Sequence, residues 1–366
     1  MTKELVEAPQ TKCNVHELGR KLGFEWSFIE RARRVAQDKR GQLDDLLVRG
    51  ERKLVSEDTS FVAFSSLARD EWTSKSDLDW TFLVDGQADP EHLPITQLIA
   101  KRLSEAGFGA PGPTGVFGNM AFSHDIIHQI GGQHDTNRNT TQRILLLLES
   151  TAIAKSDAYD RVVAGILNRY LQEDTSFLTS YGKQTKIPRF LLNDIVRFWR
   201  TMAVDFASKQ RERAGEGWAL RNLKLRMSRK LIFVSGLLTC FSCVHNPSRD
   251  LRDLKLDAGQ PITPLVNHLK RYVSLTPLEI VAESMLLYEI SDTAAAKLFT
   301  SYNSFLEAIN DDDKRDHLQK LRSEAAESST IFNEMRECSH TFQDALTEMF
   351  FENRRLFSLI RTYGVF

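Results

Sequence analysis

Two aspartates stand one residue apart in "SKSDLDWTFLVDG": Asp77 and Asp79, at the start of an apolar run. In an extended chain successive side chains alternate, so these two project from one face and Leu78 and Trp80 from the other. Carboxylates held that close repel each other, and neither gains from an apolar surface. A divalent cation resolves the conflict. Magnesium or manganese takes hard oxygen ligands, few from protein and the rest from water and phosphates. Ions clamped in this way stabilise the attacking and leaving oxygens of an in-line displacement at phosphorus. A bare D-x-D also occurs at the end of a solvent-facing loop, so its surroundings have to separate the two readings.

Those surroundings favour phosphate chemistry. Ser65 and Ser66 end the preceding apolar run, "TSFVAFSS", with Ser66 eleven residues before Asp77. A tight turn of small hydroxyl residues there presents N–H groups and Oγ atoms to an anion. The stretch "FSSLARDEWTSKSDLDWTFLV" resembles the nucleotidyltransferase superfamily typified by DNA polymerase β, whose hallmark is Gly-Ser after one strand and Asp-x-Asp on its neighbour. Ser66, Arg69, Glu71, Ser76, Asp77 and Asp79 spell S-x-x-R-x-E-x-x-x-x-S-D-x-D, the form closest to stand-alone bacterial transferases. One departure is Ser65, which stands where the family has glycine.

The resemblance implies that Asp77 and Asp79 hold Mg2+ (or Mn2+) and act in catalysis. Ser65 and Ser66 would bind the outer phosphates of an NTP, with charge added by Arg69 or Lys75. The superfamily usually adds a third carboxylate from a later strand, which binds metal and takes the acceptor proton, although some members manage with two. Asp125 in "FSHDIIHQI" fills the role if that stretch is a strand. If Ser123 instead caps a helix, Asp125 falls on its exposed first turn. Asp135, in the polar loop "IGGQHDTNRNTTQR", is the alternative.

Other polar groups are ambiguous. His124, His128 and His134 lack a fourth partner for a closed metal site and read as surface or cleft histidines. Asp194, Arg197 and Arg200 share a face of "NDIVRFWR" that can line a substrate cleft, and the same spacing also suits helix-surface ion pairs. The preceding "SYGKQTK", with Tyr181, Lys183 and Lys186, is a candidate to close over nucleotide. Arg221, Lys224, Arg226, Arg229 and Lys230 flank an apolar stripe. They form either the wet side of a bundle helix or a positive wall for phosphate or RNA. Cys240 and Cys243 form a C-x-x-C without a second pair, so they read as buried thiols.

The elements that must position these groups come in two blocks. Helical spacing covers 14–54, strands fit 59–66 and 78–86, and a helix follows from Pro90 to about Ala106. A loop at 107–115, a strand at 116–120 and a helix at 141–154 complete the first block. Beyond residue 156 the pattern is helical throughout. The expected fold class is α+β: a nucleotidyltransferase α/β domain with a small mixed sheet over 1–155, then an α-helical domain over 156–366 that selects substrate or partner.

With 366 residues, 42 % apolar and 27 % charged, the composition is that of a globular protein, and a net charge of −1 supplies no global field for nucleic acid or membrane. No secretory h-region is visible, and apolar runs such as "LIFVSGLLTCF" are short for a bilayer, so a cytoplasmic site is expected. Two functions follow. One is metal-dependent transfer of an NMP from an NTP to a protein, RNA or small-molecule acceptor, releasing pyrophosphate. The other is a catalytically inactive nucleotide sensor or interaction module of the same fold.

Overall fold

The computed structural model describes residues 13–48, 54–112, 116–174, 187–212, 215–245 and 262–364. Its sheet has four strands, β1 (Thr59–Phe64), β2 (Trp80–Val84), β3 (Asn119–Phe122) and β4 (Ser150–Ile153), in the order β3-β2-β1-β4. β1 runs antiparallel to both β2 and β4, while β2 and β3 are parallel and joined through a crossover helix. β1 is buried along its whole length, which suits its β-branched and aromatic sequence.

Alternation along β2 assigns its faces. Leu78, Trp80, Phe82 and Val84 point to a core shared with Leu43 and Leu47 of α2 (Ser27–Val48) and with Ile99 and Leu103 of the crossover helix. Leu83, with Val62 and Phe64 of β1, joins the second, larger core. That core runs on through α5 (Ser123–Ile127), α6 (Asn137–Leu148) and α7 (Asp157–Glu173) into the helical region. One apolar core therefore crosses the 155/156 point in the chain. In this numbering α1 is Asn14–Leu22, α3 is Ser65–Ala68 and α4, the crossover helix, is His92–Glu105.

The helical region comprises α8 (Arg189–Glu212), α9 (Trp218–Lys224), α10 (Lys230–His245), α11 (Thr263–Val273), α12 (Pro277–Leu287), α13 (Asp292–Asn310), α14 (Asp312–Lys320), α15 (Thr330–Thr347) and α16 (Arg354–Leu359). A wide π-turn over Leu225–Arg229 links α9 and α10 in line. By length and composition the helix Trp218–Val244 could cross a membrane, but 78 % of its most apolar window is buried inside the protein, as in a core helix. Cys240 and Cys243 lie in this core as free thiols, and burial pushes Cys243 up to about 12.

The N-terminal helices are tied to the far end of the chain. The N–H groups that open a helix lack internal partners. Here Glu279 of α12 accepts from Asn14 N at 2.7 Å, and Asn303 of α13 accepts from Phe28 N at 2.9 Å. Trp26 stacks on Phe299 with ring centroids 4.8 Å apart.

Several expected elements have different ends. The helical stretch 14–54 breaks at Gly23, whose φ of +73° closes α1. β1 stops at Phe64 because Ser65 turns out of the strand. The helix expected over 141–154 ends at Leu148, and Ser150–Ile153 becomes β4. A run as apolar as "ILLLLESTAI" suits either state, and the open edge of β1, which needs hydrogen-bond partners, decides it.

Candidate functional site

Ser65 has φ +59°, the left-handed conformation that glycine adopts without strain. The turn expected for a glycine is thus kept by a serine. Its hydroxyl donates to Asp79 Oδ2 at 2.7 Å, and Phe64 N donates to Asp79 O at 2.9 Å. The Asp79 side chain is therefore fixed from the β1 turn. Burial raises its pKa against that hydrogen bond, and the Asp77 charge raises it further. Asp77 is exposed, and no hydrogen bond engages its carboxylate among the described residues. The loop before β3 passes so close that a Cβ added at Gly109 would lie 3.4 Å from Asp77 Oδ1.

Both aspartates line a cleft of about 460 Å³ between the sheet and the helical region. Thr141, Leu145 and Glu149 form one wall from α6 and its end. Phe198, Thr201, Met202, Asp205 and Lys209 form a second from α8. Lys224, Ser228, Arg229 and Ile232 come from the π-turn and its flanks, and Phe305, Ile309 and Arg315 from α13 and α14. Ser65, Ser66, Arg69, Glu71, Thr73, Ser76, Gly112, Val116 and Phe117 complete the lining.

Charges in this cleft divide into committed and free. Arg69 Nε donates to Glu71 Oε2 at 2.9 Å, its Nη1 reaches Glu149, and Tyr302 OH donates to Glu71 Oε1 at 2.7 Å. Burial opposes the Arg69 charge, but the two carboxylates outweigh it and hold its pKa above the ordinary value. Asp205 is paired with Lys209 at 2.7 Å. The side chains of Lys224 and Arg229, by contrast, make no hydrogen bond or ion pair among the described residues. Burial, with the charges of Arg315, Arg229 and Arg69 nearby, pushes Lys224 down to about 8. A half-buried pair of unpaired cations across from an unpaired carboxylate is a site with its ligand's charges left open.

The donor set suits a small hard cation. Asp77 and Asp79 offer oxygens only, and among the described residues no three His, Cys, Asp or Glu side chains are placed to hold a metal ion.

Several expected site residues lie elsewhere. Asp125 sits on the exposed first turn of α5, where Gln129 Nε2 donates to it at 3.2 Å, so Ser123 opens a helix and not a strand. The Asp135 carboxylate is 4 % exposed and bound by Arg143 at 2.9 Å, outside the cleft lining. Among the described residues β3 offers no third carboxylate, since Asn119 pairs with Thr81 and Ala121 with Leu83 on the Asp79 face, and Glu149, just before β4, lines the cleft but is bound by Arg69. Arg69 lines the cleft, but its guanidinium is occupied by Glu71 and Glu149, which leaves no free donor fork for phosphate. Lys75 pairs with Asp316 on the surface, and Arg197 donates to Asp135 O and Asn137 Oδ1. Arg226 bonds Asn222 at 2.8 Å and Lys230 reaches Gln343, so of the basic cluster Lys224 and Arg229 face the cleft; Arg221 is not part of its lining. Tyr181, Lys183 and Lys186 fall outside the described residues. The rings of His124 and His128 lie 5.2 Å apart between centroids, tilted by 38°.

Glu149, Tyr302 and Arg315 were not singled out by sequence. Glu149 had one cue, an acid closing a run of leucines; Tyr302 and Arg315 had none, being brought in by tertiary contact. The chain matches no protein-family model and no curated protein sequence.

Proposed function

We propose that the protein is a magnesium-dependent nucleotidyltransferase, transferring an NMP from an NTP to an acceptor hydroxyl and releasing pyrophosphate. The observation that carries this reading is the pairing of Asp79 with the left-handed Ser65 turn, beside a free Asp77 and opposite the free cations Lys224 and Arg229. A catalytic α/β unit to about residue 155 and a helical unit over 156–366 that selects the acceptor fit this division of labour.

In this reading Lys224 and Arg229 bind and orient the phosphate chain, Ser66 adds a hydroxyl to it, and Phe117, Phe198 and Met202 offer apolar surface to the base. Magnesium bound to Asp77 and Asp79 supplies charge neutralisation at the phosphates. The acceptor oxygen bonds to the α-phosphorus as the bond from that phosphorus to the bridging oxygen of the β-phosphate breaks; the hydroxyl proton passes to solvent water, and the pyrophosphate leaves along the cationic wall. The work of the protein is positioning and preorganised charge. With Asp125 and Asp135 outside the cleft, this is a two-carboxylate site.

The test is incubation with each α-³²P-labelled NTP, magnesium or manganese and a cell extract, beside the Asp77→Ala/Asp79→Ala double variant. Label on protein, RNA or a small product with the wild type alone is expected. Equal nucleotide binding by both forms and no label under either metal would overturn the reading in favour of a sensor.

A further inference from the structure

The two carboxylates are held from different parts of the molecule. Asp79 is anchored within the sheet, by the Ser65 hydroxyl and the backbone of Phe64. Asp77 closes a short bridge, residues 73–76, whose ends are set by buried Trp72 and Leu78. Inside the bridge Ser76 N donates to Thr73 O at 3.0 Å, and Thr73 N to Ser76 Oγ at 3.0 Å. Among the described residues, its hydrogen bonds and ion pairs to the rest of the protein come from α14. Arg315 Nη2 donates to Lys75 O at 2.6 Å, and Nη1 to Thr73 Oγ1 at 2.9 Å and Ile309 O at 3.2 Å. Ser74 donates to Asp312 at 3.0 Å, and Lys75 is paired with Asp316.

Resting on the transferase reading above, we propose that Arg315 is a positioning residue for Asp77. Through the 73–76 bridge the helical region, and not the sheet, sets where one of the two metal-binding carboxylates stands. The planar guanidinium spans a side chain and two carbonyls at once, which a lysine ammonium on a flexible stem does not. Partners one step removed from a metal ligand fix its orientation, and losing one typically weakens metal binding about 10- to 100-fold. Arg315 also lines the cleft, so the rival role is a direct contact to phosphate, for which charge matters more than shape.

The experiment uses the full chain and the variants Arg315→Met, Arg315→Lys, Asp312→Ala and Asp77→Ala/Asp79→Ala. Manganese binding is read by electron paramagnetic resonance without nucleotide, and amide exchange of residues 73–77 by mass spectrometry. Arg315→Met and Arg315→Lys should both speed exchange in the bridge about tenfold or more and weaken manganese binding about tenfold. Asp312→Ala, which removes only an exposed contact, should move both readouts the same way by less. Unchanged exchange in the bridge and unchanged manganese binding in Arg315→Met would overturn the proposal. So would wild-type behaviour of Arg315→Lys in both. If the double aspartate variant binds manganese as the wild type does, the metal reading itself fails, while the exchange measurement still decides whether Arg315 holds the bridge.

Discussion

α6 separates two charged regions that follow opposite rules. Thr141, Leu145 and Glu149, at helical spacing, face the cleft, and Arg143 of the same helix turns the other way. On that far side Arg143, Asp135, Asp194 and Arg197 are all paired. Arg143 is fully buried, with Nε on Tyr170 OH at 2.8 Å and Nη2 on Asp135 and Asp194 at 2.9 Å each. Tyr170 OH closes on Asp194 at 2.5 Å, and Arg197 stands 3.7 Å from Asp135. On the cleft side the deeper layer is equally closed, Arg69 between Glu71 and Glu149, but the layer above it is open: the side chains of Asp77, Lys224 and Arg229 make no hydrogen bond or ion pair among the described residues. Burying charge without a partner is unfavourable. The contrast teaches that polarity alone does not mark a site; unanswered polarity does.

Substitutions at three positions break or sharpen that contrast. The largest effect is expected for Arg143→Met, which leaves Asp135 and Asp194 facing each other without their cation. Urea unfolding should show a loss of about 3–5 kcal/mol, while phosphate binding per folded molecule stays as in the wild type. An unchanged midpoint would mean that water reaches and satisfies those carboxylates.

Lys224→Met is next, with the opposite division. Removing an unanswered cation should leave stability level or slightly higher, whereas affinity for an NTP, read by calorimetry, should fall about 10- to 100-fold. The pH dependence has a definite sign. Lys224 loses its proton near pH 8 in the folded chain, and an unfolded lysine keeps it to about pH 10.4. Between these values the unfolded state holds more protons, so wild-type stability gains a rising contribution that Lys224→Met lacks. Below pH 8 both states are protonated and the two stability profiles run parallel.

The smallest effect is expected at Ser65. Ser65→Gly and Ser65→Ala both lose the hydroxyl on Asp79, but only alanine keeps a Cβ in the left-handed region. The glycine variant should be the more stable by about 1–2 kcal/mol in thermal unfolding, with the two equally impaired in transfer. A more stable alanine variant would show that the turn relaxes out of φ +59°.

Local pattern made the acidic pair and its turn legible in the sequence. Alternation put Asp77 and Asp79 together and Leu78 and Trp80 opposite, and the serine pair marked the turn. The strands of the first block and the helical remainder followed from periodicity, whereas the small mixed sheet was an expectation of the family resemblance. What sequence could not supply was partnership. Arg69 looks like a phosphate ligand until Glu149 is folded onto it, and Asp135 looks like a catalytic acid until Arg143 encloses it. β4 was read as helix because "ILLLLESTAI" carries no turn residue and only the free edge of β1 calls for a strand. Arg315 sits in the charged run "DDDKRD", where composition suggests nothing but solvent.

The tether from Arg315 to Lys75 spans 240 residues of chain. On a ribosome adding about 5–20 residues per second, the acidic bridge therefore waits roughly 12–50 s for the helix that holds it. During that interval the sheet can pair and Ser65 can close on Asp79, but Asp77 has no fixed place. A chain terminated before Arg315 would carry both aspartates and the Ser65–Asp79 bond, but not the contacts that hold the 73–76 bridge.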